Sequence, residues 1–304
     1  MSEPWTADIE VTADLVRALL MEQFPHLGSA RIEPLGEGWD NAAFLVADRY
    51  VFRFPRRAIA APLIAREIAI LPMLAPNLPL AISAPCFAGI ASGAYPWRFA
   101  GYRSFRGQPL SATSPGPAAY VRLAATLGTF LGALHRIDPA PAIDAGLPGD
   151  EIGRLDHAQR MSKLEGRFAA LCSAGFIRDV SGLLEFLRSV APSGPRTARS
   201  AIVHGDLYAK HVVVDAAGNV DGIIDWGDVH YGDPAIDVSI AYEILPPHAR
   251  QAFAGAYGVI DEETWRLARY RAIYHAALVA HYGYRTGSPE TLAAGLAGLE
   301  YATP

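Results

Sequence analysis

Between residues 203 and 228 the chain reads VHGDLYAKHVVVDAAGNVDGIIDWGD, with His204, Asp206, His211 and Asp225 crowded between apolar runs. Such groups beside strands that read as buried are costly unless they are paired or bind a cation. Asp206 follows the run AIV and sits beside Gly205. A carboxylate at that strand–loop junction can accept the proton of a substrate hydroxyl. His211 immediately precedes VVV, Asp225 immediately follows GII, and DAAGN between them reads as a hairpin turn. If the two runs pair across that turn, their outer ends meet. His211 and Asp225 then form a cation-binding corner with Asp206 beside it. Phosphoryl transfer uses those parts: a metal on the phosphate oxygens and a base that orients the attacking hydroxyl.

The rest of the chain must position this corner. Residues 8–25 have helical spacing, with Thr12 as the N-cap. Short β-prone runs follow in ARIEPLGEGWDNAAFLVADRYVFRFPRR, then a helical APLIAREIAILPML and an aromatic, strand-like YPWRFAGYRSFRGQPL. From residue 117 helices dominate, with a Pro/Gly/Ser connector APSGPRTARS before the central motif. The expectation is an α+β, bilobal chain: a small mixed β-sheet lobe over 1–105, a hinge near 100–108, and a larger, mostly helical lobe over 106–304. The cleft between lobes is the default ligand site.

With 304 residues, 51% of them hydrophobic, the chain has material for such cores. A net charge of −5 speaks against a nucleic-acid partner. Two distant cysteines, Cys86 and Cys172, form no disulfide framework or zinc motif, and the N-terminus MSEPWTADIE is polar and acidic rather than a signal peptide. These features point to the cytoplasm. The uncharged stretch 68–97 is long enough to span a bilayer, but Pro72, Pro76, Pro79, Pro85 and Pro96 argue against a spanning helix. The only lysines are Lys163 and Lys210.

HGDLYAKH, IIDWGD and GDPAID, in this order and spacing, resemble the signatures of the aminoglycoside phosphotransferase family of small-molecule kinases, which have a protein-kinase-like fold. The resemblance extends back to LGEGWDNAAFLV as a nucleotide-covering loop, YVFRFP as the strand of the phosphate-pairing cation, and LGTFLGALHRID as the helix before the catalytic region. It covers roughly residues 30–245. It implies Asp206 as catalytic base and His211 and Asp225 as ligands of Mg2+. It implies Gly36, Gly38, Asn41 and Arg53 on the phosphates of ATP or GTP, with Glu67 as the partner of Arg53. Tyr102 and Ser104, in the linker YRSFRG, would read the base through the backbone. Asp237 would hold the catalytic loop, and His204 would shape it. Two departures stand out: His211 where Asn is common, and Arg53 where Lys is usual.

The acceptor stays open between classes. A polycationic aminoglycoside, the leading expectation, needs acids, for which Glu243, Asp261, Glu262 and Glu263 are candidates. A macrolide needs an aromatic groove, for which Trp265, Tyr270, Tyr274, Tyr282 and Tyr284 are available, Tyr274 being the substrate-binding candidate among them. An endogenous metabolite is a third option. Structural readings compete: Glu67 in a surface pair with Arg66 or Arg57, Asp228 and Asp233 as loop caps, and the aromatic stripe as core. Two other functional classes compete as well. One is a non-catalytic nucleotide-binding pseudokinase. The other is a metal hydrolase with His204, Asp206, His211 and Asp225 as ligands. The expected assembly is a monomer or dimer without membrane partners.

Overall fold

Thr12 starts the first helix by accepting the Leu15 N–H through its hydroxyl at 3.2 Å. The helix α1 (Ala13–Gln23) buries Val16, Leu19 and Leu20. The computed structural model describes residues 7–37, 40–190 and 200–303, so the connector at 191–199 lies outside the described residues. Next come β1 (Ile32–Glu37), β2 (Asn41–Val46) and β3 (Tyr50–Pro55), then α2 (Ala61–Leu74), β4 (Pro85–Gly89) and β5 (Phe99–Arg103). In β2, buried Ala42, Phe44 and Val46 alternate with half-buried residues, the period of a strand with one face on a core. They pack with Leu19, Phe52, Phe54 and Phe99.

The strand order is β1-β2-β3-β5-β4 and every neighbour pair is antiparallel, which corrects the expected mixed sheet. The cause is connectivity. The pairs β1–β2, β2–β3 and β4–β5 join consecutive strands, and the crossing through α2 delivers β4 to the sheet edge. Among the described residues of this sheet, no two parallel strands become neighbours. Helix α2 runs through Pro72 to Leu74, because only its last residues lie beyond the proline and Leu71 and Leu74 are buried there. By length and composition, Ala58–Asn77 and Pro117–Leu134 could each cross a membrane. Here the first carries the buried Glu67 and the second inserts Leu127, Phe130 and Leu131 into the protein core.

The linker after β5 is pinned when the N–H groups of Arg106 and Gly107 donate to Asp221 Oδ2 at 2.8 and 3.1 Å. Then follow β6 (Gln108–Pro109), α3 (Pro117–Leu134), α4 (Ala140–Asp144), α5 (His157–Ser173) and α6 (Ser181–Ser189). The motif region contributes β7 (Ala201–Val203), β8 (Val212–Val214), β9 (Val220–Ile223) and β10 (His230–Gly232). β8 pairs with β9 and β6, and β7 pairs with β10. The chain ends in α7 (Ala235–Val238), α8 (Ile240–Glu243), α9 (Arg250–Tyr257), α10 (Glu262–Thr286) and α11 (Pro289–Ala302). Leu127, Phe130 and Leu131 of α3 pack with Trp226 and Phe253, and each such side chain contributes about 1.5–3 kcal/mol of burial. This cluster is the floor under the motif. Helix α10 packs against α5, α7 and α11, which fixes the residues it shows to the cleft.

Candidate active site

The catalytic loop follows β7 through a residue that must be glycine. Gly205 has φ +87°, and a Cβ there would lie 2.4 Å from the Asp228 carbonyl oxygen. Asp237, at the start of α7, accepts the N–H of His204 at 2.7 Å and of Gly205 at 2.9 Å, and His135 Nε2 adds a third contact at 3.2 Å. The hairpin then closes the corner. His211 at the head of β8 and Asp225 beyond β9 meet with Nε2 and Oδ2 3.4 Å apart. Asp225 has φ +64°, the left-handed region in which Asp is one of the better tolerated residues.

His204 uses both ring nitrogens structurally: Nε2–H donates to the Ile224 carbonyl at 3.0 Å, and Nδ1 accepts the Asp206 N–H at 3.3 Å. Burial pushes its pKa down, consistent with a neutral ring. It has no lone pair left for a metal, which removes it from the hydrolase ligand set. His211 Nδ1 donates to the Asp206 carbonyl at 2.7 Å, so Nε2 is the ring nitrogen turned to Asp225. An imidazole nitrogen and a carboxylate oxygen side by side are donors a cation can use. Among the described residues no cluster of three or more His, Cys, Asp or Glu could hold a metal. A two-donor site fits magnesium, which keeps several waters and takes phosphate oxygens, better than a structural zinc.

Arg53 joins the sheet to the motif. Its Nη1 donates to Glu67 Oε1 at 3.1 Å and its Nη2 to Asp225 Oδ1 at 2.8 Å. Glu67 is fully buried and takes the Tyr102 hydroxyl on its other oxygen at 2.7 Å. The surface-pair reading of Glu67 is thereby overturned: Arg66 goes to Gly227 and Glu151, and Arg57 to Asp40. Burial raises the Glu67 pKa and Arg53 works against that rise. Burial also opposes the Arg53 charge, but Asp225 and then Glu67 outweigh it and hold the guanidinium ionised.

Asp206 is gripped from α10. His275 Nε2 stands 3.2 Å from Asp206 Oδ1, and its Nδ1 stands 2.6 Å from Glu243 Oε1. Burial alone would raise the Asp206 pKa, yet the hydrogen bond and charge of His275, then His211 and Arg271, hold it well below the usual carboxylate range. His275 is pushed up to about 9: burial opposes the charge, and Glu243 and Asp206 prevail. Under the loop, Arg154 donates to the Gly205 carbonyl at 3.0 Å and pairs with Asp150 at 2.7 Å and Asp228 at 2.5 Å.

These groups line one cleft of about 1140 Å3, together with Asn41, Tyr102, Ser104, Lys210 and Tyr282. Asn41 Oδ1 is buried in it without a hydrogen-bond partner. Gly36 is at the end of the covering turn, at φ +146°, and Gly38 lies outside the described residues. Ser104 reaches the cleft, but its N–H and hydroxyl are both taken by the Arg49 carbonyl at 2.9 Å, so that amide is not available to a base. The Tyr102 side chain is committed to Glu67.

Four expected acceptor residues are elsewhere. Glu243 is buried behind His275 because α8 packs beneath α10. Asp261 is the N-cap of α10, accepting the Thr264 N–H at 2.7 Å. Glu262 borders a separate surface depression with Tyr242, Arg250 and Trp265. Tyr274 is in the core with Leu164 and Phe168, its hydroxyl accepting from Arg160 at 3.1 Å. Asp228 is an ion-pair partner of Arg154 rather than a cap, whereas Asp233 accepts the Ala235 N–H at 2.9 Å as a cap would. Sequence reasoning missed His275, Arg271 and Arg154. The available signal was Arg271 and His275 four apart on an otherwise apolar face of α10.

The model of the APH phosphotransferase enzyme family matches residues 31–272. Viomycin phosphotransferase of Streptomyces vinaceus is 34% identical over 103 residues, 33% of this chain and 36% of that protein, so the match spans about a third of the relative. The GDP and kanamycin complex of APH(2'')-IIIa superposes with a TM-score of 0.67 at 26% identity, covering 94% of this chain and 97% of the other. Macrolide 2'-phosphotransferase type I shares the fold, with a TM-score of 0.62 at 23% identity over 97% and 98% of the two chains.

Proposed function

From the premise that the chain belongs to the APH phosphotransferase enzyme family, we propose that it moves the γ-phosphate of ATP or GTP onto a hydroxyl of a small, antibiotic-like molecule. The observation that carries this is the convergence of Asp206, His211, Asp225 and Arg53 in one cleft. Its volume of about 1140 Å3 exceeds the ~300–1,000 Å3 of a single drug-sized pocket, so it has room for nucleotide and acceptor together. The bilobal division at residues 105/106 fits that use, with the nucleotide between the lobes. One relative named above is by its name a viomycin phosphotransferase and another was solved in complex with kanamycin, which supports an antibiotic-like acceptor here. We place the protein in the cytoplasm, as a monomer or dimer.

Each residue has a part. Asp206 Oδ1 is tied to His275, which leaves Oδ2 to accept the acceptor's O–H. That proton passes to the carboxylate as the new O–P bond forms and the β–γ bridging bond breaks. A carboxylate held strongly ionised is a weak base. It suits a loose transition state in which the alcohol is oriented rather than deprotonated early. Arg53 grips phosphate oxygens, positioned by Glu67, and Gly36, Gly38 and Asn41 cover the phosphates. His211 Nε2 and Asp225 Oδ2 would hold magnesium, which neutralises phosphate charge when bound.

The test is one panel. The protein is incubated with Mg·ATP or Mg·GTP and mixed hydroxylated antibiotics, and products are read by mass spectrometry for the gain of one phosphoryl group. Asp206→Asn should lose at least 10²-fold in turnover, in the range set by positioned acid–base groups, and keep nucleotide binding. Wild-type turnover in that variant ends the reading.

A further inference from the structure

The acceptor wall carries a charge arrangement that narrows what can bind. His275 lies at the cleft surface with Asp206 Oδ1 3.2 Å from Nε2 and Glu243 Oε1 2.6 Å from Nδ1. An ionised carboxylate oxygen only accepts, so both ring nitrogens donate and the ring is an imidazolium. Glu243 pairs with its far nitrogen and is not part of the cleft lining, so a cation stands between its charge and any ligand. Arg271 approaches Asp206 at 4.0 Å, and Lys210 reaches Thr291 Oγ1 at 2.7 Å on the same side. Asp206 and Glu243 against His275, Arg271 and Lys210 is two negative charges against three positive, a local net of +1. The other groups α10 turns to the cleft are Leu278, Val279 and Tyr282.

The remaining cleft carboxylates each have a cationic partner. Asp225 is bound to Arg53 at 2.8 Å, Asp228 to Arg154 at 2.5 Å, and Asp40 to Arg57. Asp48, in the turn between β2 and β3, is exposed and has a 3.9 Å contact with Arg31. Asp206 itself must accept the reacting hydroxyl and cannot also hold an ammonium.

We propose that His275, by pairing with Glu243, makes this site select an alcohol on a largely uncharged, apolar-faced body and reject a polycation. The inference rests on the kinase reading above and identifies the acceptor class of the same site. His275 is a specificity-determining residue: it screens the one acid that α8 would otherwise offer the acceptor.

The test is equilibrium binding, so that loss of turnover does not obscure it. Calorimetric titrations with Mg·ADP present compare erythromycin and tylosin, as apolar-faced probes, with kanamycin as the polycation. At least one macrocycle should bind the wild type tenfold tighter than kanamycin. His275→Ala uncovers Glu243 and should gain about tenfold in kanamycin affinity, the effect of a ~1.4 kcal/mol contact. Glu243→Gln added to it should cancel the gain. Glu243→Gln alone should leave kanamycin binding no weaker than in wild type, which keeps the test decisive if His275→Ala does not fold. Three binding results overturn the proposal: kanamycin binding the wild type as tightly as both macrocycles, no binding by either macrocycle, or a tenfold loss of kanamycin affinity in Glu243→Gln alone. The kinase reading fails separately, by absence of Mg·ATP binding. Kanamycin phosphorylation with nucleotide binding intact sinks the acceptor inference only.

Discussion

Arg53→Met tests whether one guanidinium holds the sheet to the motif. Glu67 is completely buried, and its partners are Arg53 at 3.1 Å and the Tyr102 hydroxyl at 2.7 Å. Removing the cation leaves a buried carboxylate with one donor, which costs about 3–5 kcal/mol when one partner of a buried pair is lost. At ~2–4 °C per kcal/mol for chains somewhat shorter than this, the melting midpoint should fall by at least about 6 °C. The loss depends on pH in a definite direction. Burial already raises the Glu67 pKa, and without Arg53 nothing opposes that rise except Tyr102. The penalty is therefore present above the raised pKa and shrinks as acidification protonates the side chain. Adding Glu67→Gln removes the buried charge and keeps an acceptor for Tyr102, so the double variant should recover at least half of the lost stability. Turnover should stay low in both, because the phosphate grip is gone. Thermal and denaturant melts of the four proteins in the cycle measure the coupling. A single variant within ~1 kcal/mol of wild type, or a double variant less stable than the single, refutes the reasoning.

Other perturbations have equally definite outcomes. Gly205→Ala forces a Cβ to 2.4 Å from the Asp228 carbonyl at φ +87°, so it should cost about 2–4 kcal/mol and displace Asp206. Its kcat should drop about 10²-fold with nucleotide affinity retained, and an unchanged kcat would contradict the tight loop packing. Against burial and Arg271, Glu243 and Asp206 push His275 from 6.5 to about 9, so it stabilises the fold fully below pH 6.5 and loses that contribution as pH rises through about 9. The contribution is on the order of 3 kcal/mol, counted once for the pair. Wild-type melts should fall between pH 6.5 and 9.5 and flatten in His275→Gln, and parallel curves would remove the imidazolium assignment. Arg154→Ala should lose about 2 kcal/mol and much of the activity, with Arg154→Lys a partial rescue, because an ammonium cannot reproduce contacts to Gly205, Asp150 and Asp228 at once. Full rescue by lysine would show that only the charge matters.

How much of this was legible depends on how local each cause is. The hairpin that joins His211 to Asp225 follows from two apolar runs and a turn, and register does the rest. Thr12 as an N-cap is equally local. Glu243, Asp261 and Glu262 were read as pocket acids because charge marks where a residue can be tolerated, not which way its helix turns it. For Asp261 a local rule already favoured a cap, since it directly precedes the periodic run EETWRLARY. Arg154 binds groups 51 and 74 residues away, and no local pattern announces such a pair. His275 and Glu243 are 32 apart and meet only because α8 packs under α10. A buried polar residue must find a partner, so Arg271 and His275 on an apolar stripe could have been marked as paired, though not with what.

The two departures from the family pattern become one feature in three dimensions. Asp225 offers two oxygens, and Arg53 takes Oδ1 with Nη2 while its Nη1 holds Glu67. A lysine ammonium is a single point of charge on a flexible stem, whereas the planar fork separates two donors in a fixed geometry. With Oδ1 so committed, the side of Asp225 that faces His211 is Oδ2, opposite an imidazole nitrogen rather than an amide. Arginine on β3 therefore narrows what the motif can offer a cation to one oxygen and one nitrogen. That pairing is the reason Arg53→Lys and His211→Asn should show non-additive effects on magnesium dependence. Each change alters the donor set that the other one completes.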